Sequence, residues 1–496
     1  MTSVAENMHA SSRSALSTEE STTKIPVQSE TGGDHDLWRI ALYYIYIELN
    51  KTQVEEHIKL QREVCEELGL NGRIRVSQEG VNGVLSGKHE VLRIYEMRIS
   101  QGLQKIETNK EEDDGEIVDL DVKYCELRAD LPVEKQLFDR LMVKNTQNVI
   151  GLFDQSIVHE QQRKQQKLLK SERLRRRRER KRQEQEAKRR TKIDGEYQQQ
   201  EGEPQEQNPP SSTTATSEET TTEKGDDDPT PKSLDMSSLY RSVMEEPLNA
   251  ETHLSGTEWN EKLDAVASSG KSALLLDVRN VYEMKVGHFV HPSTPTLLTN
   301  TRKYSDLPQM LASNKEMQER DQIFMYCTGG VRCERVSMLV RELYPEKEIF
   351  QLHGGIQRYL ETCSDEKQKR SEEKDNSSTD SDTSNPGYFV GKNFVFDPRR
   401  TDPIHFGETV GSCLICQSPH DDYDNGHAPS ENKEARCNTC RMLILICNDC
   451  RPKYRCHGER VEDSSSSSRP LLYCNIDTCI HEGSTPDPEL LVATTK

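Results

Sequence analysis

The sequence predicts an α/β protein whose central domain is a doubly wound parallel sheet. An α+β ferredoxin-like sandwich precedes it, a small Cys-rich module follows it, and long disordered linkers lie between. Three observations carry that prediction. Continuous apolar runs at Ala273–Leu276 and Ile323–Tyr326, set between helical stretches, read as parallel strands buried on both faces. Residues 38–143 order themselves as βαββαβ, the ferredoxin-like succession. Nine of the fourteen cysteines fall between Cys413 and Cys479, and six of them form three C-x-x-C pairs.

Composition sets the outer bounds. A chain of 496 residues has room for about three domains. Only 32% of it is hydrophobic while 30% is charged, so a good part cannot build a core. The net charge of −19 hides a local reversal: between Glu160 and Lys192, 16 Lys or Arg stand against 5 Glu, a local charge of +11. A polyanion would meet that segment first. No apolar run approaches a membrane span, and no hydrophobic leader region opens the chain, so the sequence reads as soluble and intracellular, cytoplasmic or nuclear. In that setting the cysteines are expected to be metal ligands and reactive thiols rather than disulfides.

Residues 1–36, rich in Ser and Thr, are expected to be disordered. The first domain is placed at 37–154. Arg39–Ile47 reads as a strand, and Gln53–Leu68 as a helix, with Val54, Ile58, Val64, Cys65 and Leu68 at near-helical spacing. Arg73–Val76 gives a second strand, Gln78–Gly87 a glycine-rich turn into a third, and His89–Ile99 a second helix. Strands follow at Asp121–Leu127 and Leu141–Val143, beyond an acidic break at Glu111–Glu116. Glu79 and Asn82 are open to two readings, ligand contacts or simple turn formers, and Asn and Gly are ordinary turn residues.

Residues 155–192 are rich in helix-forming Gln, Glu, Lys and Arg but nearly without apolar side chains, so an exposed helix or a disordered arm is predicted. Its densest part, Arg175, Arg176, Arg177, Arg178, Arg180, Lys181 and Arg182, suits phosphate-backbone binding through counterion release. Nuclear import and a solvated spacer are equally open readings. Residues 193–245 are expected to form a disordered linker.

The central domain is placed at 250–363. Ser255 to Glu258 forms a capping box that opens a helix carrying Trp259, Leu263 and Val266. The strand 273–277 comes next, ending in Asp277 and Arg279, which are expected to tie the strand end to its neighbours through hydrogen bonds. Gln322–Tyr326 then delivers Cys327 into a loop of Thr328, Gly329, Gly330, Val331 and Arg332 that closes onto a helix starting at Cys333. The amides of such a loop converge on one spot, and the helix adds the positive end of its dipole. Cys327 is therefore expected to sit as a thiolate and to act as the nucleophile, quickly alkylated near neutral pH. A sulfur sealed from solvent with the loop amides turned outward would end that reading. Arg332 either neutralises a bound anion or braces the loop against an acid, and Cys333 either resolves an oxidised Cys327 or simply packs.

Residues 364–386 read as a second, acidic linker, 387–482 as the Cys-rich region and 483–496 as a tail. Cys413, Cys416, Cys437, Cys440, Cys447, Cys450, Cys456, Cys474 and Cys479 are candidate ligands for Zn2+, one ion or two. Eight thiolates would fill two tetrahedral sites and leave one cysteine over, and the spacing does not say which pairs share an ion.

Two stretches are recognisable. Cys327–Glu334, with Asp277–Arg279 and Glu283 to His288, resembles the active loop and flanking elements of rhodanese-type sulfurtransferases. Four residues separate Cys327 from Arg332, one fewer than in tyrosine phosphatases, and the shorter ring of amides suits a persulfide better than a phosphate. Gln78–Gly83, with Phe138–Lys144, resembles the acylphosphatase-like N-terminal domain of the bacterial rhodanese-domain family that hydroxylates uridine in tRNA, and Tyr388–Asp397 continues that resemblance. The resemblance implies an enzyme using Cys327 on a tRNA uridine, with hydroxylation at C5 and oxygen as co-substrate. Two alternatives stand beside it: transfer of sulfur from thiosulfate or a persulfide donor through Cys327, and a non-catalytic zinc-bearing scaffold that binds RNA or protein.

Overall fold

The computed structural model describes residues 37–108, 119–198, 235–245, 248, 252–373, 387–423, 434–457, 469–475 and 479. The expected disordered segment 1–36 and tail 483–496 lie outside these, as do 199–234 and 374–386 of the two expected linkers.

The first domain runs β1 (Trp38–Tyr46), α1 (Lys51–Leu68), β2 (Asn71–Ser77), β3 (Gly80–Lys88), α2 (His89–Thr108), β4 (Lys123–Cys125), α3 (Val133–Gln136) and β5 (Leu141–Asn145). Its sheet has the order β4-β1-β3-β2-β5, antiparallel except for β2 with β5. The βαββαβ frame is as read, and β5, which covers the expected strand Leu141–Val143, pairs at the edge beside β2. A capping box between Asn50 and Gln53 opens α1, and Gly69 closes it at φ 66°. Side chains alternate across the sheet. Ala41, Tyr43, Ile74, Val76 and Leu85 face α1 and α2 in the core, whereas Leu42, Tyr44, Tyr46, Arg73, Arg75, Asn82 and Val84 fall on the opposite face. Both long helices cover one side, so that second face is left to meet the rest of the molecule.

The chain continues through α4 (Gln155–Gln198), α5 (Met236–Met244), β6 (His253–Leu254), α6 (Gly256–Ser269), β7 (Ala273–Asp277), α7 (Val281–Met284), β8 (Gly287–Phe289), β9 (Thr296–Leu298), α8 (Leu307–Ala312), α9 (Lys315–Glu319), β10 (Gln322–Tyr326), α10 (Val331–Leu343), β11 (Glu348–Leu352) and α11 (Gly355–Glu373). Five parallel strands order as β6-β11-β10-β7-β9, which places β10 at the centre. All five residues of β10 are buried, because Ile323 and Met325 pack under α5, α8 and α10 while Phe324 and Tyr326 pack under α6 and α11. The capping box at Ser255 and Glu258 opens α6 as the sequence predicts.

Three boundaries differ from expectation, and one of them is the end of α4, which reaches Gln198 rather than 192. Residues 236–244, expected within a linker, form α5: Asp235 caps it, and Leu239 and Val243 enter the core beside Leu152, Phe153 and Val158. The basic segment is a single helix whose first turns are anchored there, with Val158 only 1% exposed, while Leu168, Leu169 and Leu174 further out are open to solvent. Helix α11 also runs past 363 to Glu373.

Beyond it, β12 (Phe389–Phe394) and β13 (Thr401–Phe406) complete a three-stranded antiparallel sheet with β8. The C-terminal region therefore shares a sheet with the central domain.

Candidate active site and metal clusters

Strand β10 ends at Cys327, the loop turns at Gly330 with φ 96°, and α10 begins at Val331. The loop amides face inward: Gly330 N donates to Cys327 Sγ at 3.1 Å, and the amides of Arg332 and Cys333 donate to the same sulfur. Burial opposes a charge there, but the Cys333 thiol hydrogen bond, the Arg332 charge and those amides outweigh it and bring the Cys327 thiol down to about 6. The Cys333 thiol is pushed well up, first by burial and then by the neighbouring Cys327. The pair therefore divides into one thiolate and one thiol, with Cys333 S–H donating to Cys327.

Arg332 braces the loop rather than standing ready for an anion. Its Nη1 and Nη2 donate to the Glu283 carboxylate oxygens, both at 2.7 Å, and Nη2 also donates to Thr328 Oγ1 at 3.0 Å. Glu283 is fully buried on α7, and a buried guanidinium beside a buried carboxylate pairs with it bidentately. Asp277 and Arg279 form a second buried pair at 2.7 Å, and Arg279 Nη2 extends to the Gly287 carbonyl at 2.6 Å.

Of the two conditions that together would end the nucleophile reading, one is met and the other is not. The loop amides turn inward, but Cys327 is 0% exposed. Its cover comes from two sides. Leu42 and Tyr44 of β1 lie against Gly329 and Gly330, and a Cβ on Gly330 would stand 2.8 Å from the Tyr44 hydroxyl. Behind the loop, a Cβ on Gly355 would stand 2.6 Å from both the Cys327 carbonyl oxygen and the Gly330 nitrogen. Tyr44 Oη donates to Glu334 at 3.0 Å and Tyr46 Oη to the Val331 carbonyl at 3.2 Å, so the open face of the first sheet is fastened to the start of α10.

Glu79 also does more than shape a turn. The turn is only Gln78 and Glu79, and the Glu79 carboxylate accepts from Arg335 Nη2 at 3.0 Å and from Val149 N at 2.5 Å, linking the first domain to α10. Asn82 is not in a turn; it sits within β3 opposite Tyr44 and Arg75. It lines a cavity of about 360 Å³ together with Tyr44, Arg73, Arg75, Gly329 and Phe396. The alternation Arg73, Ile74, Arg75, Val76 carried the signal for this cleft, but nothing local said what the arginine face would meet. Arg175, Arg176, Arg177, Arg178, Arg180, Lys181 and Arg182 are exposed along α4, apart from this cleft.

The cysteines sort into two clusters able to hold metal ions. Cys413, Cys416, Cys447 and Cys450 form one, Cys437, Cys440, Cys474 and Cys479 the other, with all sulfurs of a cluster within 4.8 Å of one another. Four thiolates about 2.3 Å from a central ion stand about 3.8 Å apart on a tetrahedron. The pairs Cys416–Cys447, Cys437–Cys479 and Cys440–Cys474 measure 3.6, 3.8 and 3.7 Å. The donor sets fit. Cys456 belongs to neither cluster, and it is the ninth cysteine that two four-ligand sites leave over.

Residues 260–362, which hold the parallel sheet and the Cys327 loop, match the rhodanese-like domain. The central domain is a rhodanese-like domain. It stands between a match to the UPF0176 acylphosphatase like domain at 38–149 and a match to the rhodanase C-terminal family at 390–459. Among curated relatives, rhodanese-like domain-containing protein 6 of Arabidopsis thaliana is 39% identical over 208 residues, 41% of this chain and 31% of that protein. The tRNA uridine(34) hydroxylase of Chlamydia pneumoniae is 32% identical over 232 residues, 44% of this chain and 60% of that protein. The tRNA uridine(34) hydroxylase of Leptospira interrogans is 32% identical over 206 residues, 42% of this chain and 46% of that protein. The rhodanese-domain chain thus spans between 31% and 60% of the length of these relatives. Among the described residues no helix is long and apolar enough to cross a membrane.

Proposed function

We propose that this rhodanese-domain protein is an enzyme in which Cys327 performs thiol-dependent chemistry on a uridine of tRNA, and that the reaction is hydroxylation at C5 of the base. The observation that carries the reading is a thiolate held at the carboxyl end of a parallel sheet, directly beside a cleft lined by Arg73 and Arg75. Guanidinium groups suit the phosphates of a nucleotide, and the carboxyl ends of such strands are where these sheets bind ligands. The names of the bacterial relatives support the substrate. In a balanced form, dioxygen gives one atom to the base as C5–OH in place of C5–H and the other leaves as water, while two thiols supply the electron pair and become a disulfide. Substrate reaches Cys327 when the Leu42 and Tyr44 face withdraws from the loop.

The two cysteine clusters are read as structural zinc sites. Four thiolates close each coordination sphere and leave no position for chemistry, so their part is to hold the C-terminal region against the central domain.

Mass spectrometry of tRNA nucleosides from cells lacking this protein, complemented with the native chain or with Cys327→Ser, tests the reading. Hydroxylated uridine should return only with the native chain, and identical profiles would sink the proposal. The amide cradle around the thiolate also favours sulfur transfer as a second reading. There, thiosulfate should add one sulfur to the intact mass of the native protein and none to Cys327→Ala.

A further inference from the structure

Phe396 is a large hydrophobic side chain left 45% exposed, and it lines two separate hollows. One is the cleft beside the Cys327 loop. The other, of about 300 Å³, is walled by Arg302 and Lys303 of the central domain, Arg400 after β12, and Arg436 and Arg441 of the Cys-rich region. Five cations therefore meet there, and no carboxylate lies among the described lining residues. Glu434 pairs with Arg400 and Arg436, Cys440 of the second cluster joins the wall, and Lys303 and Arg441 stand exposed at the rim. The ring is held in place, edge-on to Phe394 at 5.5 Å between centroids and with the Arg332 guanidinium 5.4 Å from its own centroid. An exposed aromatic flanked by a run of cations is the arrangement that single-stranded nucleic acid uses, with a base on the ring and phosphates on the cations.

We propose that this second groove binds the ribose-phosphate strand next to the reacting nucleotide, with phosphates at Lys303 and Arg441 and a base stacked on Phe396. This rests on the reading of an RNA substrate and adds to it a place and an orientation: the strand crosses Phe396 from the Cys327 cleft toward the metal-cluster region. The Cys-rich region then supplies one wall of an RNA site as well as a structural brace.

The test is an anisotropy titration of the full-length protein with fluorescein-labelled decauridylate at several salt concentrations. Lys303 and Arg441 are both exposed and neither belongs to a cysteine cluster. The pair Lys303→Gln with Arg441→Gln should flatten the slope of log affinity against log salt by about 1.4, two contacts at about 0.7 each for single strands. Lys303→Gln by itself, which leaves the Cys-rich region untouched, should flatten it by about 0.7. Phe396→Ala should weaken binding roughly 5- to 160-fold with the slope unchanged, as the loss of one stacked base does. Unchanged slopes in both charge variants would overturn the proposal. So would loss of all binding on changing Arg175–Arg178 to Gln while the groove variants bind as the native protein does. Equal competition by decaglutamate with Phe396→Ala silent would also overturn it, pointing to an acidic protein partner. Failure of the enzyme reading is separate: Cys327→Ser would leave the nucleoside profile unchanged while the groove variants still lost oligonucleotide.

Discussion

At Cys327 a charge survives complete burial because every group that favours it belongs to the loop itself or to the first turn of α10. That locality carries a pH prediction. Because the thiol is depressed to about 6, the thiolate is present above that pH and is lost as pH falls through it. Alkylation of Cys327 by iodoacetamide, followed by peptide mass spectrometry, should therefore inflect near pH 6 instead of in the ordinary thiol range. Cys333→Ala removes one donor and should move the inflection upward, whereas Cys333→Ser, which keeps a donor, should hold it lower. The Arg332–Glu283 pair belongs to the same scale. Glu283→Gln leaves a buried guanidinium without its counter-charge and should cost about 3–5 kcal/mol, seen as a lower urea midpoint.

At the scale of elements, β1 decides access to the sulfur. Its alternation sends Tyr43 into the first domain's core and Tyr44 onto the loop, so one strand both builds its own sheet and closes the neighbouring site. The Tyr44 hydroxyl is bonded to a Glu334 that is 7% exposed. A hydrogen bond to a charged group contributes enough that Tyr44→Ala should raise the alkylation rate of Cys327 about tenfold, read at a fixed pH above the inflection. A rate equal to the native protein's would mean that the β1 face does not limit access. Helices α4 and α5 show the same dependence on neighbours. Helix α4 is weakly apolar by its own sequence, whereas α5 carries Met236, Leu239, Tyr240, Val243 and Met244 at helical spacing, and the two are fixed by burying Val158 and Val243 in a shared core beneath α10.

For the whole molecule, the three regions are tied around the loop and cannot be treated as beads on a string. Arg128 of the first domain donates to Thr401 Oγ1 at 3.0 Å, Arg358 of α11 to Asp121 at 2.6 Å, and Thr328 Oγ1 of the loop to the Phe394 carbonyl at 3.3 Å. The cysteine clusters add an interleaved closure, since the first C-x-x-C pair joins the third and the second joins Cys474 and Cys479. Elemental analysis of purified protein should find Cys413→Ser lacking one of two metal ions per chain and Cys456→Ser retaining both. Loss of metal in Cys456→Ser would mean that the ninth cysteine is a ligand after all.

What the sequence by itself determined is everything written within a few residues: the strand that ends in Cys327, the inward-turning glycine loop, the capping box at Ser255, the βαββαβ order and the C-x-x-C pairs. Periodicity and turn chemistry are local, so they can be read in one dimension. Tertiary structure decided the cover over the sulfur, the partner of Arg332, the division of cysteines between clusters and the cations around Phe396. Those depend on residues far apart in the chain: 49 positions separate Arg332 from Glu283 and 290 separate Tyr44 from Glu334. No local pattern carries such a pairing. It exists only once burial forces each polar group to find its partner.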